Sequence, residues 1–401
     1  MEEHADTMIG STGSPLAIDR GLEEELIGIR HHLHAHPELS FEEHTTSAFI
    51  AARLKEWGIP HRVGVAGTGI VVDIQGADSG PCIALRGDMD ALPIHELNEV
   101  PYRSQNEGVM HACGHDVHST CLLGALRTLW SRREGWSGHI RGIFQPGEEK
   151  LPGGAKLMIE EGVLDGVDAI LALHVFPDLP VGEIGFRPGM YMASADEVHL
   201  RVIGKGGHAA MPHETVDPVA IAAQLVTALQ LIVSRHAPPT VPSVLSFGYI
   251  RGDGATNVIP EHVELKGTFR TLDEAWRERA HTLIRKKVEQ ICTALGGRAE
   301  LDLMKGYPFL KNDEALTAKC IRIAKDLLGS EKVTELPIRM TGEDFAFYSQ
   351  QVPACFFRLG TSSGDGRFTT GVHNPNFDID DRAIAIGAGT MAGLALGLLD
   401  Q

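Results

Sequence analysis

Ten consecutive residues, Met110-His111-Ala112-Cys113-Gly114-His115-Asp116-Val117-His118-Ser119, carry a thiol, three imidazoles and a carboxylate. These are the protein ligands of zinc and its neighbours. Gly114 lets the backbone turn so that Cys113 and His115 reach one centre. An isolated Cys-x-His reads equally well as a redox thiol beside surface histidines. What favours a metal is the recurrence of other ligand types downstream, several at the end of an apolar run.

The run Cys82 to Leu85 leads into Arg86-Gly87-Asp88-Met89-Asp90-Ala91-Leu92-Pro93, two carboxylates at the end of an apolar strand. That is where open α/β sheets place their chemistry. The strand His139 to Phe144 ends in Gln145-Pro146-Gly147-Glu148-Glu149. Adjacent carboxylates at a strand end point in different directions, so one can bind a metal while the other faces a substrate. His174 follows Ile170-Leu171-Ala172-Leu173, and His373 lies in the polar loop Gly371-Val372-His373-Asn374-Pro375. Singly, His174 reads as a core histidine, His373 as a loop histidine. Together Cys113, His115, Glu149, His174 and His373 exceed what one four-coordinate zinc needs. Shared between two ions, with one ligand bridging, they make a hydrolytic site. Glu148 is left over as a general base acting on water. Asp90 or Asp116 can orient a ligand histidine from behind.

The elements that must position these groups follow from the apolar pattern. Leu22, Leu26, Ile29 and Leu33 share one helical face, and Pro37 ends that helix. Thr45 to Trp57 reads as a second helix. Strands are expected at Gly69–Ile74, Cys82–Leu85, His139–Phe144 and Ala169–Leu173, with helices at Ser119–Trp130 and Gly154–Glu161. Alternation of this kind implies a mainly parallel sheet with helices on both faces. From about Pro188 the texture changes: strand 197–203, helix 218–236, strands 244–250 and 262–270, helix 272–295 and strand 300–304. This is a split βαβ, ferredoxin-like α+β unit. After Tyr307-Pro308 the first pattern resumes with helix 314–328, strand 354–359, the His373 loop and a final helix. The expectation is a discontinuous catalytic domain, residues 15–188 and 306–401, interrupted by an inserted domain, residues 189–305.

Length and composition agree with two domains in a soluble chain: 401 residues, 43% hydrophobic and 22% charged. A net charge of −17 argues against nucleic acid or an anionic membrane as partner. Six cysteines, Cys82, Cys113, Cys121, Cys292, Cys320 and Cys355, are scattered without a C-x-x-C pair. They read as reduced thiols in a cytoplasm, not a disulfide framework. Met1 to Ser14 is acidic and polar, with no signal-peptide core. Ala383 to Leu399, rich in Gly and Ala, reads as a packed terminal helix, not a membrane span.

Beyond these residue-level readings, the chain resembles the two-metal metallopeptidase family M20 that includes the aminoacylases. The likeness is to its hippurate hydrolase and auxin-conjugate amidohydrolase branch. It is carried by His32-Leu33-His34-Ala35-His36-Pro37-Glu38-Leu39, Gly87 to Pro93, His111 to Asp116, Gln145 to Glu149 and His174-Val175. It continues through Gly204-Lys205-Gly206-Gly207-His208-Ala209-Ala210, Asn257-Val258-Ile259-Pro260, Gly342-Glu343-Asp344-Phe345 and His373 to Asp378. The resemblance implies a dinuclear amidohydrolase with two divalent ions per subunit, zinc or manganese first, cobalt or nickel also tolerated by a thiolate site. By motif, Cys113, His115, Glu149, His174 and His373 fall on its metal ligands, Glu148 on its general base, and Asp90 beside them. The small domain corresponds to a dimerisation or lid domain, which implies a homodimer or homotetramer. His208 falls on a histidine that reaches a neighbouring subunit's site and stabilises an oxyanion. Asn257 and Arg270 fall near positions that hold a substrate carboxylate. Two positions depart from the pattern: Asp88 stands where the wider family has His, and Gly147 where Ala is usual. The implied reaction is hydrolysis of N-acyl-L-amino acids, with a dipeptidase or carboxypeptidase as the alternative.

Three other readings compete. Gly360-Thr361-Ser362-Ser363-Gly364 matches G-x-S-x-G, but a nucleophile elbow must lead into a helix, and Asp365-Gly366-Arg367 follows. Gly387-Ala388-Gly389-Thr390-Met391-Ala392 matches a dinucleotide fingerprint without the strand before it. A metal-storage protein would have no use for Glu148 beside Glu149.

Overall fold

The computed structural model describes residues 18–400. The signal-peptide reading of residues 1–14, the first three residues of the expected catalytic domain and Gln401 lie outside the described residues. The chain divides into two compact units, residues 18–189, 311–337 and 347–400 in the first, residues 190–310 and 338–346 in the second. Segment 338–346 joins the second unit through backbone bonds: Arg339 N–H donates to the Tyr191 carbonyl at 2.9 Å, and Ala193 N–H to the Thr341 carbonyl at 3.1 Å.

The first unit opens with α1 (Arg20–Ala35), capped by the Asp19 carboxylate accepting from Leu22 N–H. It buries Leu26, Ile29 and Leu33, the expected stripe. Then come α2 (His44–Glu56), β1 (His61–Val65), β2 (Gly69–Gln75) and β3 (Cys82–Asp88). α3 (His115–Ser131), β4 (His139–Gln145), α4 (Gly154–Glu160), β5 (Ala169–Pro180) and β6 (Ile184–Phe186) follow. After the second unit, α7 (Glu314–Leu328) and the strands Val333–Glu335 and Ala354–Ser362 complete an eight-stranded sheet among the described residues. Its order is β1-β2-β4-β3-β5, then Ala354–Ser362, β6 and Val333–Glu335.

The four central strands are mutually parallel. β1, β2 and β6 enter antiparallel. Runs such as Ile70-Val71-Val72 and Ile170-Leu171-Ala172-Leu173 are buried on both faces, as a covered parallel sheet requires. One face packs on a core drawn from α1, α2, α3, α7 and the helix Arg382–Leu399. On the other, Met158 of α4 approaches Gly69. The chain is therefore an α/β protein with a mainly parallel central sheet and helices on both faces.

Arg382–Leu399 packs through small residues. A Cβ at Gly387 would lie 2.6 Å from Cys121 Sγ. This helix and Pro218–His236 are long and apolar enough to cross a membrane by length and composition alone, but the terminal helix is 72% buried over that window, as a core helix is.

The second unit is an antiparallel sheet ordered Ser243–Arg251, His262–Thr271, Asp196–Ile203, Arg298–Met304. Two helices, α5 (Pro218–Leu231) and α6 (Glu274–Ala294), pack on it. Val198, Leu200 and Val202 alternate inward against Ile221, Leu225, Ile284 and Val288. This is the expected split βαβ arrangement. The expected helix 218–236 is α-helical only to Leu231; Ile232–His236 winds as a π turn. A buried ion cluster fixes the sheet to α6: Asp196 accepts from Arg277 Nε at 2.9 Å, from Arg277 Nη2, and from His281 Nε2 at 2.6 Å.

Candidate metal centre

Two expected boundaries shift where the donors sit. α3 starts at His115, four residues before the expected start, so His115 and His118 stand one helical turn apart and share a face. The preceding Gly114 has φ 83, and a Cβ there would lie 2.5 Å from a Val175 methyl. Only glycine serves this turn and this close approach. β5 continues to Pro180, so His174 lies within the strand instead of past its end. Buried β-bridges continue the ladder beyond the apolar run because Ala354–Ser362 pairs with it through His174 and Val175.

The carboxyl ends of neighbouring strands β4, β3 and β5 then gather the donors. Cys113 Sγ lies 3.5 Å from His174 Nε2. One donor atom from each of Cys113, His115 and His174 falls within 4.8 Å of the others; the same holds for Cys113, Glu149 and His373, and for His115, Glu148 and Glu149. His373 Nε2 is 3.1 Å from Glu149 Oε1. The first unit thus brings Cys113, His115, Glu148, Glu149, His174 and His373 into one cluster. Cys113, His115, Glu148 and His174 are buried.

Of the two candidate carboxylates, Asp90 is the one that contacts His115. Its Oδ1 is 3.1 Å from His115 Nδ1, and its Oδ2 accepts from Glu149 N–H at 2.9 Å and from Ser40 Oγ at 2.6 Å. Asp116, the other residue considered for this role, turns away: it accepts from Arg30 Nε at 2.9 Å and contacts His34 Nδ1 at 2.8 Å. Arg30 continues to Asp378 at 2.7 Å, so Asp116 ties the Cys113–His115 segment to α1. Sequence reasoning also missed Ser40, Glu43 and His118. Glu43 Oε1 accepts from Gly147 N–H at 2.8 Å and from Phe41 N–H at 2.8 Å, holding the loop that carries Glu148. A signal for His118 was present in its i, i+3 spacing from His115. Ser40 and Glu43 left none, because their partners are distant in sequence.

Electrostatics show whether divalent cations suit the cluster. Burial alone would lower the His115 pKa, but Asp88 and Cys113 outweigh it and hold it well above the usual imidazole range. Hydrogen bonds donated by its protonated ring to Cys113 and Glu149 push His373 up to about 10. Burial, then Arg358, holds His174 well below its ordinary value, so it is a neutral imidazole. His115 Nε2 is buried with no hydrogen-bond partner, 3.7 Å from Asp88 Oδ2, as suits a donor open to a metal. The donor set, one thiol, three imidazoles and a carboxylate, fits zinc, manganese, cobalt or nickel.

The remaining site candidates belong to the second unit. His208 is exposed, and its Nδ1 accepts from Ala210 N–H at 3.1 Å. Asn257 is beside it, its carbonyl accepting from Ala209 N–H at 3.0 Å. Arg270 donates from Nε to Thr268 Oγ1 at 3.0 Å. The competing motifs dissolve. Ser362 is buried in a strand, its Oγ donating to the Leu179 carbonyl at 2.9 Å, and the Gly387 motif lies inside a core helix.

A mainly parallel sheet with a thiol, imidazoles and carboxylates gathered at its strand ends, grouped closely enough to hold metal ions, fits a metallohydrolase class of protein. The model of peptidase family M20/M25/M40 matches residues 84–397, and the chain belongs to that family: it is a hydrolase of linear amide bonds. It is 44% identical over 380 residues to an N-acetyl-L-cysteine deacetylase of Bacillus subtilis, covering 95% of this chain and 89% of the relative. It is 38% identical over 378 residues to thermostable carboxypeptidase 2 of Saccharolobus solfataricus, covering 94% and 95%. The crystal structure of Bacillus subtilis YXEP, described as a dinuclear metal binding peptidase of the M20 family, superposes with TM-score 0.83 at 34% identity, covering 96% and 100%.

Proposed function

We propose that this enzyme hydrolyses the amide bond of N-acyl-L-amino acids at a site holding two divalent ions. Cys113, His115, Glu149, His174 and His373 would hold the ions. The observation that carries this reading is the juxtaposition of Glu148 and Glu149 with His115, one donor atom of each within 4.8 Å of the others. One carboxylate can serve the metals while its neighbour moves a proton.

Bound there, the ions would polarise the scissile carbonyl and acidify a water. Glu148 takes a proton from the attacking water and returns it to the leaving amine. Asp90 holds His115 by its Nδ1 and the Glu149 backbone by its N–H, so both donors keep their aim. His208 stabilises the developing oxyanion. Arg270, with Asn257, binds the substrate carboxylate. The second unit serves as lid and as the surface for a homodimer or homotetramer. Six buried free cysteines fit a reducing cytoplasm. The similarity to an N-acetyl-L-cysteine deacetylase supports the acyl-amino acid reading. The carboxypeptidase likeness supports a second one, a dipeptidase or carboxypeptidase with the same machinery.

The test is hydrolysis of N-acetyl-amino acids and hippurate against dipeptides, by metal-reconstituted protein. Glu148→Gln is expected to abolish turnover on every substrate while metal content stays at the unaltered level. Loss of metal together with activity would show that Glu148 is a ligand and that the roles are wrongly divided. Turnover of dipeptides alone would favour the second reading.

A further inference from the structure

Asp88 is fully buried at the end of β3, where the wider family has His, and the proposed reaction does not use it. With His115 and His118 it forms a trio whose donor atoms lie within 4.8 Å of one another. By spacing alone it could hold an ion. Its hydrogen bonds say otherwise, and they can be assigned from the backbone outward.

A backbone N–H only donates and a carbonyl only accepts. Val175 N–H lies 3.0 Å from His118 Nε2, so that nitrogen must be the acceptor. The proton of neutral His118 is therefore on Nδ1, which donates to Asp88 Oδ1 at 2.6 Å. Both His118 nitrogens are thereby used. Residue Val175 also accepts, through its carbonyl, from His174 Nδ1 at 2.8 Å. This leaves His174 Nε2 bare and facing Cys113 Sγ. The His118 and His174 rings lie 4.5 Å apart, tilted by 55°. Asp88 is itself pinned: Arg86 Nη1 donates to its Oδ2 at 2.6 Å, and Ser119 Oγ to its carbonyl at 2.6 Å. Arg86 Nε also donates to Gln145 at 2.9 Å, just ahead of the Glu148 loop.

We propose that Asp88 and His118 form a positioning pair for His174, fixing its tautomer and ring orientation through Val175 so that Nε2 faces the metal. This deepens the reading above, since it takes His174 as a ligand. The trio with His115 is a support behind the ligands and no third metal site: both ring nitrogens of His118 are occupied, so it offers no ligand atom, and the Asp88 charge is already met by the Arg86 guanidinium.

The test compares unaltered protein with Asp88→Asn and His118→Asn, each stripped of metal. Cobalt(II) is titrated against a chromophoric chelator, following the thiolate-to-cobalt absorption that reports the ion at Cys113. Binding at one of the two sites, the one including His174, is expected to weaken about 10–100-fold, the range for losing a support behind a ligand. The other site keeps its affinity. Independently, ¹⁵N spectra of the metal-free proteins are expected to show His174 as the Nδ1–H tautomer in the unaltered chain and as a mixture in both variants. If both variants bind two cobalt ions with unaltered affinity, or His174 keeps one tautomer, the pair does not position it. If the unaltered chain itself fails to bind cobalt, the ligand reading falls and the tautomer spectra decide the pairing alone. Asp88→Asn keeps the side-chain shape and carries the test should His118→Asn not fold.

Discussion

At the scale of single residues, the electrostatics of the proposed ligands bear on how protons and metal ions compete for them. Hydrogen bonds to Cys113 and Glu149 push the His373 pKa up to about 10, and burial, then Glu149, pushes the Cys113 thiol up. Both are protonated at neutral pH in the metal-free protein, so an ion must displace those protons. Metal affinity is therefore expected to rise with pH, and zinc added to weakly buffered apoprotein at pH 7.5 should acidify the solution. A titration followed by a pH indicator that shows no acidification would remove these residues from the ligand set. Gly147 gives a second expectation. It has φ 60, and a Cβ there would lie 2.4 Å from the Phe41 ring, itself at φ 68. Gly147→Ala should cost about 1–2 kcal/mol of left-handed strain and about 1–3 kcal/mol of overpacking. Its expected signature is a lower kcat from a displaced Glu148, partly restored by adding Phe41→Ala, read by steady-state kinetics. The donors themselves were legible in the sequence because each type is chemically distinctive and sits beside Gly, Pro or an apolar run. Their supports were not: Ser40, Glu43, Arg30 and Arg86 look like ordinary polar residues until the chain brings them to Asp90, Gly147, Asp116 and Asp88.

At the scale of elements, most strands and helices followed from periodicity and capping, and the misses share a cause. β1 (His61–Val65) carries little apolar signal because it is an exposed edge. α3 starts early and β5 ends late because tertiary bonds, not local propensity, settle those ends. The α6 attachment yields an expectation of its own. Burial would raise the Asp196 pKa, but hydrogen bonds from Arg277 and His281 hold it below the ordinary carboxylate value. A group depressed in the folded state stabilises above its unfolded pKa and ceases to as pH falls through the folded one. The second unit should therefore lose stability below about pH 4. Asp196→Asn, which leaves Arg277 buried without its charge partner, should cost about 3–5 kcal/mol at pH 7 and flatten that acid dependence. Urea melts monitored at Trp276, which lies on α6, would show it. An unchanged melt would mean that Arg277 and His281 find other partners.

At the scale of the whole molecule, length pointed to two domains and the motifs to the family, because both depend on residue types alone. Segment 338–346 was not legible as part of the second unit, since the backbone bonds that tie it to residues 191 and 193 leave no mark in residue type. Each unit has its own core, and every candidate ligand belongs to the first. Metal that binds only the folded state stabilises by mass action, about 2.7 kcal/mol at a hundred times its Kd. Calorimetry should accordingly resolve a transition that chelator moves to lower temperature and one that it leaves in place. Two transitions moving together would show that the units unfold as one.

The placement of His373 also bears on how the enzyme matures. A ribosome makes Cys113, His115, Glu149 and His174 first, then the whole of the inserted unit, and only afterwards the segment with the fifth donor. A nascent chain halted at the end of that insert owns four donors and an open ring. With the proposed ligand set, the five-donor site is thus completed only near the end of synthesis.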